Sequence, residues 1–458
     1  MMKKLLALLI FATSIVNAQY TVKGTMTPPE KTDWVILYKI EGAKQKFIAN
    51  STIKFDTIVV GGEKQVLGKF QLDLSEDAKP GAYRATYRNK GAGFVDFYFN
   101  KENVEFIFNP KYPDQSVVFT ASRENKLYNE YLEAYASVQN KIDGNQGTYV
   151  TDGDKEAKKA YKKGLKELED VQDMYENKSE GMLVNHFIKA TQRYNPYSPI
   201  DNMEDYRTST IDNFFKYIDF NSDPLYNSSF LMDRITDYVF YLNSSEDKQL
   251  QQKLLRKAIV TVMKKIPRGK LRKAAIEFLI TSLADKRNGE AVDWVLAEYY
   301  DKLPAEQFDA DFKKEKLELL RATIGRIAPD FSWDENGEEL KLSTLNDGEK
   351  YLLIFWSTGC PHCVKEIPVL HESMKDRNDI SIVSFGIEKD NIAWTEFVKT
   401  LPNWHNAIGT HPTWKWDNET VKAYQLLATP SYFVLDNNKK IIAMPDHMED
   451  VQKYFEKN

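Results

Sequence analysis

From residue 19 to about 121, apolar and polar side chains alternate in short runs. Phe70, Leu72 and Leu74 form one such series; Tyr83, Ala85 and Tyr87 form the next; Val95, Phe97, Phe99 and then Val104, Phe106, Phe108 follow. A period of two puts each series on one face of an extended strand. Pro28-Pro29, Gly61-Gly62, Pro80-Gly81 and Asn109-Pro110 punctuate the runs. Short strands at regular spacing predict an all-β, sandwich-like domain over residues 19–121. This stretch gathers no catalytic residue types, and its aromatics read as core.

The period changes at about residue 122. Leu127, Tyr131, Leu132 and Tyr135 follow helical spacing, as do Ala157, Ala160, Tyr161, Leu165 and Leu168. Further amphipathic helices are predicted over Leu231–Leu242, Leu250–Ile266, Leu271–Ala284, Ala291–Leu303 and Phe312–Ile324, with breaks at Asn195-Pro196, Asp223-Pro224 and Pro267. Residues 122–324 thus read as a central helical region without a strict repeat. His186 stands alone there and reads as structural. The Lys- and Arg-rich stretch 253–273 carries apolar residues at packing intervals and reads as a solvated helix face.

From about 325 to 458 the pattern changes again. Tyr351–Trp356 and Ile380–Ile387 are apolar runs of the kind found in buried parallel strands. Helical stretches are expected at 363–376 and 391–400. Tyr432–Leu435 and Lys440–Ala443 flank Asn437-Asn438, a hairpin signal. The plan is α/β, so the chain is multidomain: β domain, helical region, α/β domain. Asn403–Trp416 carries Trp404, His405, His411, Trp414 and Trp416, which suit an aromatic rim or buried packing equally.

The head of the chain bears on compartment. Lys3 and Lys4 precede the apolar stretch Leu5–Val16, and Val16-Asn17-Ala18 offers a peptidase small residues. This predicts a signal peptide over residues 1–18, cleaved near Ala18-Gln19, and an exported, soluble mature chain of about 440 residues. Residue 19 is Gln rather than the Cys of a lipoprotein signal. The formal charge of −5 gives no electrostatic reason to bind nucleic acid.

An exported chain can keep disulfides, yet only two cysteines occur, Cys360 and Cys363, in Phe355-Trp356-Ser357-Thr358-Gly359-Cys360-Pro361-His362-Cys363. As a staple, such a short loop restrains the unfolded chain by only about 2 kcal/mol. As a structural metal site the motif supplies two of four ligands, and no second Cys-x-x-Cys exists. Redox exchange fits the local pattern. An apolar strand delivers Cys360 to a helix start, and Pro361 suits the first helical position. The helix N-terminus favours the Cys360 thiolate, the attacking species. Cys363, one turn on, is placed to resolve a mixed disulfide.

These residues resemble the thioredoxin fold of the TlpA/ResA type of thiol–disulfide oxidoreductase, within the AhpC/TSA–Redoxin superfamily. The resemblance rests on Ala328-Pro329-Asp330-Phe331, Leu345, the Cys-x-x-Cys stretch, Val364-Lys365-Glu366-Ile367-Pro368, and Ala428-Thr429-Pro430-Ser431-Tyr432-Phe433-Val434-Leu435-Asp436, and it spans about 130 residues. The first two regions more loosely resemble segments that precede thioredoxin domains in Gram-negative envelope proteins. The resemblance implies that Pro430 is a cis-proline facing the cysteines, that Thr429 influences redox behaviour, and that Glu366 serves in acid–base chemistry. The position of the buried acid of ordinary thioredoxins is Ile354. His362 departs from the family and resembles the Cys-Pro-His-Cys of DsbA oxidases. Thioredoxin and DsbA differ by about 150 mV, about 7 kcal/mol for two electrons.

The expectation is therefore an exported enzyme of the periplasm or cell envelope. It acts on protein thiols and disulfides with no cofactor beyond the Cys360–Cys363 disulfide and no metal. A membrane-bound thiol donor or acceptor is an expected partner. A reductive role, as in cytochrome c maturation, and an oxidative or isomerase role both fit. The alternative is an envelope scaffold in which residues 19–324 capture a partner and the thioredoxin-like domain is accessory.

Overall fold

The computed structural model describes residues 18–88, 91, 93–267 and 269–457. All of the expected signal peptide except Ala18 lies outside the described residues. No helix among the described residues is long and apolar enough to cross a membrane. The chain divides into two compact units, residues 1–274 and 275–458. The predicted helical region is therefore shared between them.

The first unit contains β1 (Ala18–Met26), β2 (Trp34–Glu41), β3 (Lys44–Thr52), β4 (Lys54–Val60), β5 (Glu63–Ser75), β6 (Gly81–Thr86), β7 (Phe94–Phe99), β8 (Val104–Phe108) and β9 (Val118–Ala121). They form a sheet in the order β4-β5-β1-β8-β9 and another in the order β3-β2-β6-β7. The inward residues of both sheets, among them Phe70, Leu72, Leu74, Tyr83, Phe97, Phe106 and Phe108, share one core, as in a sandwich. Helices Arg123–Asp152 and Lys155–Lys178 follow and pack around Tyr131, Ile142 and Tyr161. Buried Glu124 ties them to their surroundings: its carboxylate accepts from the N–H groups of Leu183 and Val184 at 3.0 and 2.8 Å, at the start of helix Val184–Thr191. A carboxylate there satisfies open N–H groups and meets the positive end of the helix dipole.

The second unit begins with helical segments, including Gly289–Val295 and Ala310–Glu318. The helix expected over Phe312–Ile324 ends early at Glu318, and turns carry the buried Leu320 and Ala322 instead. A hairpin of β10 (Ser332–Glu335) and β11 (Glu338–Lys341) follows. The main sheet has the order β14-β13-β12-β15-β16, formed by β12 (Lys350–Trp356), β13 (Ile380–Glu388), β14 (His405–Thr410), β15 (Ser431–Asp436) and β16 (Ile441–Ala443). β12 runs parallel to β13 and antiparallel to β15. This is a thioredoxin-like α/β domain, so the β, helical and α/β classes expected from the sequence are all present.

The two central strands are apolar on both faces, because side chains of alternate parity enter different cores. Tyr351, Leu353, Phe355, Val383 and Phe385 enter one, and Leu352, Ile354, Trp356 and Ile382 the other. Helix Pro361–Met374 lies on the second face through Cys363, Ile367 and Leu370. Packing at β13 leaves no spare volume: a Cβ on Gly386 would stand 2.4 Å from the Trp394 ring. Gly386→Ala is expected to cost about 1–3 kcal/mol by overpacking, seen as a lower urea midpoint. An unchanged midpoint would mean that the indole swings aside freely.

Candidate active site

β12 ends at the buried Trp356, whose indole N–H donates to Ser384 Oγ at 2.7 Å, and burial continues through Ser357. Beyond it the chain turns. The Cys360 N–H donates to the Ser357 carbonyl at 3.1 Å, and the Gly359 N–H to Ser357 Oγ at 3.2 Å. Two side chains from outside hold this turn. Glu388, at the end of β13, accepts from the Thr358 N–H at 2.5 Å, and Lys415 Nζ donates to Ser357 Oγ at 2.6 Å.

Cys360 is the N-cap of helix Pro361–Met374, with Pro361 in its first turn. Its sulfur accepts from the Cys363 N–H at 3.3 Å. The two cysteines are joined as a disulfide, with Cα atoms 5.3 Å apart. Their surroundings differ. Cys360 is partly exposed, whereas Cys363 is fully buried among Trp356, Ile367 and Leu370.

The antiparallel pairing of β15 with β12 brings the start of β15 to the same end of the sheet. The Thr429–Pro430 peptide bond is cis. The Thr429 carbonyl oxygen lies 3.3 Å from Cys360 Sγ. Just before it, Leu427 is 94% exposed.

Glu366 lies on the site helix, its side chain 28% exposed and 3.9 Å from the His362 imidazole. The His362 ring is 82% exposed, and the side chain it approaches is Glu366. The Tyr432 phenol also faces Glu366. Its hydroxyl is buried without a hydrogen bond of ordinary geometry. Burial first, then the Glu366 charge, raises its pKa above the usual phenol range.

Sequence reasoning singled out the cysteines, Pro361, His362, Glu366, Thr429 and Pro430, and the structure gathers these at one end of the sheet. It missed Ser357, Glu388 and Lys415. The available signals were slight: a carboxylate ending an apolar run, and a lysine among tryptophans. Two other histidines of the domain have partners of their own. His371 Nε2 pairs with the Pro402 carbonyl at 2.9 Å, and His411 Nδ1 accepts from the Trp414 N–H at 3.1 Å.

Residues 324–444 match the model of the AhpC/TSA family. The thiol-disulfide oxidoreductase ResA of Bacillus thuringiensis subsp. konkukian is 30% identical over 135 residues, covering 28% of this chain and 70% of that one. ResA of Bacillus subtilis is 29% identical over 122 residues, 26% of this chain and 64% of its own. Among solved structures, a domain of a possible thiol-disulfide isomerase from Cytophaga hutchinsonii is 27% identical, covering 29% of this chain and 91% of its own, with a TM-score of 0.26. A disulfide-bonded Cys-x-x-Cys pair at a helix N-terminus, on a thioredoxin-like sheet, places the second unit in the class of disulfide-exchange domains. Within that class, the chain belongs to the ResA-like thiol–disulfide oxidoreductases of the AhpC/TSA family.

One charged cluster stands apart from the cysteines. His405, at the start of β14, holds Glu335 Oε2 through Nδ1 at 2.7 Å and Asp347 Oδ2 through Nε2 at 2.8 Å. Burial alone would lower its pKa, but the two carboxylates outweigh that and raise it above 6.5. The pKa of Asp347 is lowered: burial opposes ionisation, and the bond to His405 overcomes it. A raised histidine pKa gives stability that is full below the unfolded value and lost as pH rises through the folded one. The depressed carboxylate works oppositely and loses its share as pH falls through its folded value. The clamp should therefore stabilise most between the carboxylate range and mildly alkaline pH. His405→Gln is expected to lower the melting midpoint more at pH 6 than at pH 9. An equal loss at both values would leave His405 as packing alone.

Proposed function

We propose that the protein is an exported thiol–disulfide oxidoreductase of the cell envelope, soluble after removal of residues 1–18, in which Cys360 attacks and Cys363 resolves. One observation carries the assignment of roles. Cys360 is partly exposed at a helix N-cap, while Cys363 is fully buried one turn on. A substrate sulfur can reach the first and not the second.

In the reductive direction, the Cys360 thiolate attacks one sulfur of a protein disulfide. The substrate S–S bond breaks, and the departing sulfur keeps the electron pair and takes up a proton. A mixed disulfide to Cys360 remains. Cys363 then loses its proton and attacks Cys360 Sγ, expelling the second substrate sulfur as a thiol. The substrate gains two electrons and two protons, and the pair is left as the disulfide. The oxidative direction runs the same bonds in reverse. Both fit the residues, and so does isomerisation. A reductive role, as in cytochrome c maturation, would draw electrons from a membrane-bound thiol donor. No cofactor beyond the Cys360–Cys363 disulfide enters either scheme.

The N–H of Cys363 and the helix dipole favour the Cys360 thiolate. Glu366 is the proton acceptor for Cys363 in this reading, since it lies on the same helix one turn inward and is half-sheltered. His362 stands at the helix start, two residues after the attacking cysteine, as a modulating side chain. The cis Thr429–Pro430 segment offers backbone against which a bound peptide can lie, with the Thr429 carbonyl already at the sulfur.

Cys363→Ser should accumulate mixed disulfides between Cys360 and envelope proteins, separable on non-reducing gels, and Cys360→Ser should accumulate none. Equal trapping by both variants would sink the assignment. Glu366→Gln should slow turnover of a model disulfide by about a hundredfold, the low end for a general acid–base group. An unchanged rate would remove Glu366 from the mechanism. Equilibration with glutathione reads the direction: a potential near about −120 to −180 mV marks an oxidase or isomerase, and one near about −270 mV a reductase.

A further inference from the structure

The tryptophan-rich stretch Asn403–Trp416 is not a continuous rim. Trp404 is buried in the core beneath the site helix, and Trp416 packs against the opposite core. Trp414 faces outward, 55% exposed. Between the last two stands Lys415, and its ammonium turns to the cysteines' turn. It donates to Ser357 Oγ at 2.6 Å; that oxygen accepts from Gly359, and the Ser357 carbonyl accepts from Cys360. A Cβ on Gly359 would stand 3.8 Å from Lys415 Nζ. The ammonium therefore lies in contact range of the residue before the cysteine. Among the described residues, no ion pair joins Lys415 to a carboxylate; its hydrogen-bond partner is the neutral serine.

We propose that Lys415 is a positioning residue for the disulfide pair. It fixes the turn that presents Cys360 and, by its unpaired positive charge, favours the reduced pair. The proposal rests on Cys360 being the attacking thiol. Reduction by glutathione breaks the Cys360–Cys363 bond. Two glutathione thiols give up two electrons and two protons and become one disulfide. One proton goes to Cys363, and the other goes to solvent when Cys360 stays a thiolate. Near Lys415 the oxidised pair is neutral, and the reduced pair carries the Cys360 thiolate. The charge of Lys415 therefore raises the equilibrium constant for reduction and makes the disulfide the stronger oxidant. Other ionisable groups lie on the elements that meet here: Glu388 on β13, His362, Lys365 and Glu366 on the site helix, Tyr432 on β15, and His411 and Asp417 in the segment of Lys415. Of these, Glu388, like Lys415, hydrogen-bonds to the turn itself.

Three variants of the full chain separate charge from hydrogen bonding. Lys415→Gln keeps a donor for Ser357 and loses the charge, Lys415→Met loses both, and Lys415→Arg keeps both. The readouts are the oxidised fraction in glutathione buffers and the pH dependence of iodoacetamide alkylation at Cys360. Lys415→Gln and Lys415→Met are expected to lower the equilibrium constant for reduction about tenfold, about 30 mV toward a more reducing pair. They should also move the alkylation profile to higher pH, while Lys415→Arg stays near the parent. A parent that exchanges normally, with Lys415→Gln matching it in both readouts, would overturn the role of the charge. A parent that does not exchange with glutathione at all would overturn the underlying reading of the pair as well.

Discussion

Strand β12 is buried on both faces from Tyr351 to Trp356, and the turn that follows it fixes the chemistry. Its side chains alternate between two cores, so a slip of one residue would exchange the two sets. The register is thereby locked, and Trp356 closes it with an indole bond to Ser384. Four residues later Cys360 starts a helix whose inner face, Cys363, Ile367 and Leu370, belongs to the same core as Trp356. β15 pairs with β12 antiparallel, which carries Thr429 and Pro430 to the same end. The placement of both cysteines and of the carbonyl opposite them thus follows from the packing of one strand.

On that frame, polar groups divide the work unevenly. Exchange requires one sulfur that a partner can reach and another that meets only the first. Burial of Cys363 and exposure of Cys360 supply that asymmetry. Donors then crowd the side of Cys360: the helix N-terminus, the Cys363 N–H and, through Ser357, Lys415. Carboxylates stand further back, with Glu388 on the turn's backbone and Glu366 a helical turn inward. A charge a few ångströms from a half-sheltered sulfur is screened less than one on open surface. Small changes in this set therefore act on the reduced and oxidised pair unequally.

The sequence exposed most of this arrangement, for identifiable reasons. β12 and β13 were readable because strands covered on both faces are mostly apolar: Tyr351–Trp356 is so throughout, and Ile380–Ile387 is broken only by the small residues Ser381, Ser384 and Gly386. Strands of both sheets of the sandwich were readable because the runs around Phe70, Phe97 and Phe106 keep strict alternation. β14 was not: His405-Asn406-Ala407-Ile408-Gly409-Thr410 is an edge strand, and its pairing with β13 rather than its composition makes it extended. The stretch 391–400, expected as one helix, is a short helix at Ile392–Phe397 followed by a tight turn at Val398–Thr400, because Pro402 and the positive φ of Asn403 end it. In the site, residues joined by spacing along one helix were legible. Lys415 and Glu388 reach the turn from distant segments, and only the sheet order brings them together.

The scarcity of cysteine follows from the same chemistry. A pair that exchanges disulfides with other proteins will also exchange with any thiol on its own chain. Such a thiol acts at an effective concentration in the millimolar range when a flexible link lets it reach, which outcompetes dilute substrates. A chain of this length can exclude that competitor only if its stability needs no disulfide elsewhere. The first unit meets the condition through aromatic packing: Phe70, Tyr83, Phe97, Phe99, Phe106 and Phe108 fill its sandwich, and Tyr131 and Tyr161 fill the helices beyond it. Its large buried core and the chain's total of two cysteines are therefore one constraint seen twice: stability drawn from burial leaves sulfur for exchange.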